Sequence, residues 1–196
     1  MMNLDLRCGV GLFAVFLSAA GFASVTQAAS PTAFELVKEG NRYIGEQAKD
    51  KVVQIRSEKS VATLTPNIWF VVYYDSTAKF RATEVKFGAG KMLEVTRPMR
   101  LFERVAEEKQ LDPAKLKIDS DKALAIAQKE PLLENLTMKA SELKLEKGEE
   151  GAPVWKVRLW AAKLRKPSEM ADIGEVIISA ETGKVLAADL KINRVD

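Results

Sequence analysis

The sequence predicts an α+β fold in which a helix followed by a four-stranded antiparallel sheet occurs twice in tandem, and three observations predict it. An aromatic-led apolar run, Trp69-Phe70-Val71-Val72-Tyr73-Tyr74, returns in altered form as Trp155-Lys156-Val157-Arg158-Leu159-Trp160. Each run leads through a turn and a further apolar strand to a Gly-Lys step, Gly90-Lys91-Met92-Leu93 and Gly183-Lys184-Val185-Leu186. Each is preceded, at a similar distance, by a helix-start signal, at Thr32 and at Asp119. The units fall at 30–98 and 118–196, joined by a connecting helix and linker over 99–117 and preceded by a segment over 1–28 of a different kind.

That first segment reads as a signal peptide. Arg7 closes a short n-region, Gly9 to Val25 is apolar, and Thr26-Gln27-Ala28 supplies small residues for cleavage. The alternative is an N-terminal membrane anchor, since the run is almost long enough to span. Small residues at its exit and the helix start at Ser30-Pro31 favour cleavage, which predicts an exported protein, periplasmic or extracellular, with no membrane span afterwards.

The chain has no histidine, and its single cysteine, Cys8, lies before the apolar run. Residues 29–196 therefore offer no Ser-His-Asp triad, no thiol nucleophile, no haem histidine and no zinc site of the usual ligands. No cofactor is expected. A Ser-Lys pair, paired carboxylates or an all-oxygen calcium site stay formally open. Net charge is only +3, with Lys and Glu interspersed, which makes a solvated surface and not a nucleic-acid footprint. Without disulfides, two separate units of this size would each be marginal. The units are therefore expected to share one sheet or one core.

Each element follows from local signals. Thr32-Ala33-Phe34-Glu35 is a capping box, and Phe34, Val37, Asn41 and Ile44 recur at helical spacing, predicting a helix ending near Gln47. Val52 to Arg56 suits a first strand, Trp69 to Tyr74 a second covered on both faces, Phe80 to Phe87 a third, and Met92 to Thr96 a fourth after the Gly88-Ala89-Gly90 turn. Pro98 can open a helix over Met99 to Lys109 with Leu101, Phe102, Val105 and Ala106 on its buried side. In the second unit, Asp119-Ser120 caps a helix with Ala123, Leu124, Ile126 and Ala127 on one face. Strands follow at Ala140–Glu146, Val154–Ala161, Ile173–Ser179 and Val185–Lys191.

The second unit resembles a PepSY domain. The resemblance is carried by Asp121-Lys122-Ala123-Leu124-Ala125-Ile126-Ala127, by Val154-Trp155-Lys156-Val157-Arg158-Leu159, and by Val176 to Leu186 with its Glu181-Thr182-Gly183-Lys184 turn. The first unit is similar only in outline, since Gly88-Ala89-Gly90-Lys91 replaces that turn. The resemblance implies a cystatin-like or β-lactamase-inhibitor-like sheet wrapped on a helix, and a regulatory or inhibitory role towards peptidases. It brings no catalytic residue.

On the second strand of that unit, Trp155, Val157 and Leu159 share one face and Lys156, Arg158 and Trp160 the other. Lys156, Arg158 and Trp160 form the candidate partner-binding site, because a Trp between cations suits a protein interface. The alternative is that Trp160 packs beneath the Lys163 to Pro167 loop with basic stems along its ring. Glu181-Thr182-Gly183-Lys184 lacks the preceding glycine and following helix of a phosphate loop and reads as a hairpin turn. Asp119, Asp121, Glu146, Glu149 and Glu150 lack calcium-ligand spacing. The reading is thus a non-enzymatic exported binding protein whose partner is a secreted or envelope protein, with a peptidase implied by the resemblance. The alternatives are an envelope small-molecule or lipid carrier using the space between helix and sheet, and a Ser-Lys or carboxylate hydrolase.

Overall fold

The computed structural model describes residues 30–99 and 105–196. The expected signal peptide lies outside the described residues. Helix α1 (Ala33–Gly40) starts as the sequence dictates: the Glu35 amide donates to Thr32 Oγ1 at 3.4 Å, and the Thr32 amide to Glu35 Oε2 at 2.9 Å. Helix α2 (Ser120–Ala127) is capped by Asp119. Positions one, four and eight after each cap are buried, as Ala33, Leu36 and Gly40 in α1 and Ser120, Ala123 and Ala127 in α2.

The first helix does not continue to Gln47. It ends at Gly40, where the sheet approaches too closely for any side chain: a Cβ on Gly40 would collide with Tyr73 Oη. The Tyr73 hydroxyl instead donates to the Val37 carbonyl at 3.1 Å. Asn41 then ties the departing chain to Asp50 through its side chain, at 2.6 and 3.1 Å, and Ile44 packs on the core from a turn.

Eight strands follow: β1 (Val52–Ser57), β2 (Ile68–Tyr74), β3 (Ala82–Gly88), β4 (Lys91–Thr96), β5 (Met138–Lys147), β6 (Pro153–Ala162), β7 (Met170–Ser179) and β8 (Val185–Leu190). They form one sheet, β4-β3-β2-β1-β5-β6-β7-β8, every neighbouring pair antiparallel. A single cross-strand row, Val95–Val85–Val71–Ile55–Leu145–Trp155–Ile178–Val185, takes one residue from every strand. Its six central members are fully buried in the cluster that also holds Leu36 and Ala123, so both helices cover this face. Burial of each such side chain stabilises the fold by roughly 1.5–3 kcal/mol.

The expectation of one shared body is met at β1 and β5, which pair through Gln54↔Glu146, Ile55↔Leu145 and Arg56↔Lys144. Serines prolong this short ladder. The Leu143 amide donates to Ser57 Oγ at 2.9 Å, the Ser141 amide to Ser60 Oγ at 2.9 Å, and the Ser60 amide to the Ser141 carbonyl at 2.8 Å. The helices are tied together as well: the Ala33 amide donates to Ser120 Oγ at 3.0 Å and the Phe34 amide to Asp119 Oδ1 at 3.2 Å. The cap of α2 thereby also serves the start of α1.

Of the helix expected over Met99–Lys109, residues 100–104 lie outside the described residues. The described remainder has no helix at Val105, is extended at Ala106 and then makes one 3-10 turn, Glu107–Lys109. Val105 packs against Val53, Val72, Tyr74 and Ala82 on the face of the sheet away from the helices. From there the chain rounds to the helix face. The Leu111 amide donates to the Val52 carbonyl at 2.8 Å, and the Ile118 amide to the Ala180 carbonyl at 2.9 Å.

Candidate functional site

The face opposite the helices carries its own cross-strand row: Glu94, Lys86, Phe70, Arg56, Lys144, Lys156, Ile177 and Ala187. Like charges side by side on a sheet repel, so carboxylates from adjacent rows neutralise them. Glu84 takes Arg56 at 3.1 Å, Glu58 takes Lys86 at 3.3 Å, and Glu146 takes both Lys144 at 2.9 Å and Lys156 at 2.8 Å. Burial pushes the Glu146 carboxyl up, but the hydrogen bonds and charges of Lys156 and Lys144 outweigh it and hold the group below its ordinary value. Lys156 is therefore committed to the junction between the halves.

Arg158 is exposed and directed elsewhere. Its Nε donates to Asp172 Oδ2 at 3.0 Å, and its Nη2 donates to the same oxygen. Asp172 is positioned by a bulge: Leu159 pairs with Gly174 and Trp160 with Asp172, so Ile173 is the extra residue. Gly174 makes this possible, with φ +110° and no room for a Cβ against the Asp189 carbonyl oxygen. Its amide donates to Asp172 Oδ1 at 3.0 Å, and Arg194 Nη1 donates to the Asp172 carbonyl at 3.2 Å. Burial raises the Asp172 carboxyl, and the bonds from Arg158 and Gly174 bring it below the usual carboxylate range.

Trp160 is half-buried beside this ion pair. Lys59 Nζ lies 4.6 Å from its ring centroid and Arg158 Cζ 5.6 Å from it. The other two indoles are satisfied within the fold: Trp69 Nε1 donates to the Pro66 carbonyl at 3.1 Å and Trp155 Nε1 to the Ile118 carbonyl at 2.8 Å. Trp160 Nε1 has no acceptor among the described residues. It presents an apolar ring and an uncommitted donor together, the combination that places Trp at interfaces.

Lys156, Arg158 and Trp160 thus share the expected face, but they do not converge. Lys156 belongs with Glu146, whereas Arg158 and Trp160 gather with Lys59, Asp172 and Arg194. Sequence reasoning missed Lys59, which reaches Trp160 from the loop after β1 in the other half. No local pattern marks a contact across so much chain. The basic groups beside the ring are Lys59 and Arg158, and not those of the Lys163 to Pro167 loop. In the first half the corresponding strand positions are Phe70, Val72 and Tyr74. Val72 and Tyr74 are buried with Val105, and Phe70 lies beneath Arg56, whose Cζ is 3.9 Å from the ring centroid. Among the described residues, no three acidic, His or Cys side chains converge where a metal ion could be held.

The β7–β8 hairpin turns at Glu181-Thr182-Gly183-Lys184 with Gly183 left-handed, at φ +75°, as that turn requires. The second half is similar to the PepSY family. Residues 117–189 match that family's model, described as peptidase propeptide and YPEB domain. The PepSY segment runs from the residues before α2 into β8, so Arg158, Trp160 and Asp172 lie within it while Lys59 and Arg194 lie outside. No curated protein and no solved structure matches the chain.

Proposed function

We propose that the protein is an exported, non-enzymatic PepSY-type binding protein that regulates a secreted or envelope peptidase through the outer face of β6. One observation carries this reading. The same sheet face is closed by Val105 over Val72 and Tyr74 in the first half, yet around Arg158 and Trp160 it remains open, polar and aromatic. A wet surface of this kind suits a reversible interface. The two halves are read as copies of one unit. Their caps, their buried helix positions and the register of Trp69 opposite Phe87 and Trp155 opposite Ile178 correspond. On this reading the second copy kept its outer face free while the first was covered by the linker.

The test uses the protein as bait against the secreted proteins of its own source, followed by affinity measurement with Trp160→Ala. The variant is expected to weaken partner binding by more than about 1 kcal/mol while the melting transition is retained. Loss of folding by about 3–5 kcal/mol with no selective loss of binding would make Trp160 a core residue and overturn the reading. A carrier function is the second reading. It is favoured by an apolar cleft of about 390 Å³ between α1 and residues 111–116, lined by Phe34, Val37, Leu111 and Leu116. Saturable uptake of a fluorescent fatty acid, unaffected by Trp160→Ala, would support it.

A further inference from the structure

We infer that the end of the sheet carrying the β6–β7 turn rests on an anionic lipid surface, with Leu164 entering its interface. β5 begins, β6 ends, β7 begins and β8 ends there, and hydrogen bonds draw the neighbouring segments to the same level. The Ala162 amide donates to the Thr137 carbonyl at 2.9 Å, the Lys163 amide to the Glu169 carbonyl at 3.0 Å, and the Leu164 amide to the Val195 carbonyl at 2.7 Å. The loop over 58–67 is held at this end by the bonds between Ser60 and Ser141. Around these contacts apolar side chains reach solvent: Val61 at 80% exposure, Leu164 at 61%, and Met170 and Ile192. They stand on separate segments, an arrangement that a flat surface can meet at several points.

The turn itself is basic. Lys163, Arg165 and Lys166 have Glu169 alone among them, and it takes Lys163 at 2.8 Å and Lys166 at 3.2 Å. Two positive charges are therefore in excess, and Arg165 has no ion pair among the described residues. Glu58 is taken by Lys86 at 3.3 Å, which leaves Lys59 positive as well. Residues 129–139 and 189–196 each carry as many carboxylates as cations, so they leave the excess standing. Exposed apolar tips among cations suit an anionic bilayer, where each Lys or Arg and each inserted apolar group adds to binding.

The course of the chain points to the same surface. Ser30 lies at this end, lining one cleft with Thr65 of the 58–67 loop and Leu143 of β5. The apolar run Gly9 to Val25 stops five residues before Ser30, a reach of at most ~18 Å for extended chain. Removed after Ala28 or kept as an anchor, that run enters a bilayer during export and brings this end of the sheet to it. The inference stands apart from the Trp160 reading, because Leu164 and Arg165 take no part in that patch.

The test is cosedimentation of residues 29–196, which contain every described element, with two kinds of vesicle. One holds equal parts phosphatidylethanolamine and phosphatidylglycerol, the other phosphatidylcholine only. Binding to the anionic vesicles alone is expected, and it should fall as salt is raised. Arg165→Gln with Lys166→Gln should weaken it about thirtyfold at low salt, two cations contributing ~1 kcal/mol each. Leu164→Asp should weaken it about tenfold or more, through the lost apolar burial. Leu164→Trp should be quenched by bromine-labelled acyl chains beyond the wild type. Equal binding to both vesicles, binding to neither, or affinity untouched by the variants overturns the inference. So does Leu164→Trp quenched no more than the wild type, which would mean adsorption through another face. Vesicles ignored by the wild type, with partner capture lost in Leu164→Asp, would assign the turn to a protein contact and overturn it too.

Discussion

Asp75 shows how a single carboxylate holds the end of a sheet. It lies buried at the exit of β2, accepting from the Thr77 amide at 2.9 Å, Thr77 Oγ1 at 2.6 Å and Thr83 Oγ1 at 2.7 Å, with Arg97 Nη2 at 3.3 Å. Burial alone would raise its pKa, but the hydrogen bonds of Thr77 and Thr83 and the charge of Arg97 prevail and hold it below the ordinary value. The folded value thus lies below the unfolded one of about 3.9. Its stabilisation is complete above the unfolded value and is lost as pH falls through the folded value. Glu146 and Asp172 have the same sign. The melting temperature is expected to be flat from neutrality to about pH 5 and to fall below about pH 4. Asp75→Asn should start lower by about 1.5–3 kcal/mol, the worth of hydrogen bonds to a charged group, and lose less on acidification. An acid loss in the variant as steep as in the wild type would contradict this.

The β1–β5 junction decides whether the halves are separable. In isolation β1 would become an edge, exposing Ile55 and the unpaired backbone that Leu145 and the serine bonds now satisfy. α1 would lose Asp119 and Ser120 from its first turn, and Phe34 would lose the Trp155 ring, 6.3 Å away between centroids. A fragment of residues 31–98 is therefore expected to be poorly folded, because the lost contact is comparable to the whole ~5–15 kcal/mol stability of a domain. A cooperative thermal transition for that fragment close to that of the full chain would show independent units. Most of these elements could be read from the sequence, since capping and alternation are local: Thr32 with Glu35, and Trp155, Val157 and Leu159 on one face. The length of α1 could not, since the chain turns away after Gly40 and is tied to Asp50 by Asn41, contacts that no helical period marks. Nor could the ladder joining the halves, which depends on Ser57, Ser60 and Ser141, residues with no periodic signal. The candidate site divides in the same way. Alternation puts Arg158 and Trp160 on one face, but the bulge that brings Asp172 to Arg158 and the loop that brings Lys59 to Trp160 are tertiary.

Across the whole molecule the two faces of the sheet do different work. The helix face is one continuous core through both halves. The outer face is divided: closed by the linker at Val105 in the first half, neutralised by Glu84 and Glu146 near the middle, and open around Trp160 in the second. If binding belongs to the open part, a partner should shield it and leave the rest unchanged. Hydroxyl-radical footprinting of the protein with and without its captured partner measures this directly, because Trp, Tyr and Phe side chains report on each region. Binding through the second half predicts protection of Trp160 with unchanged labelling of Phe70 and of Tyr43 beyond α1. Protection at Phe70 or Tyr43 with Trp160 labelled as in the free protein would contradict it.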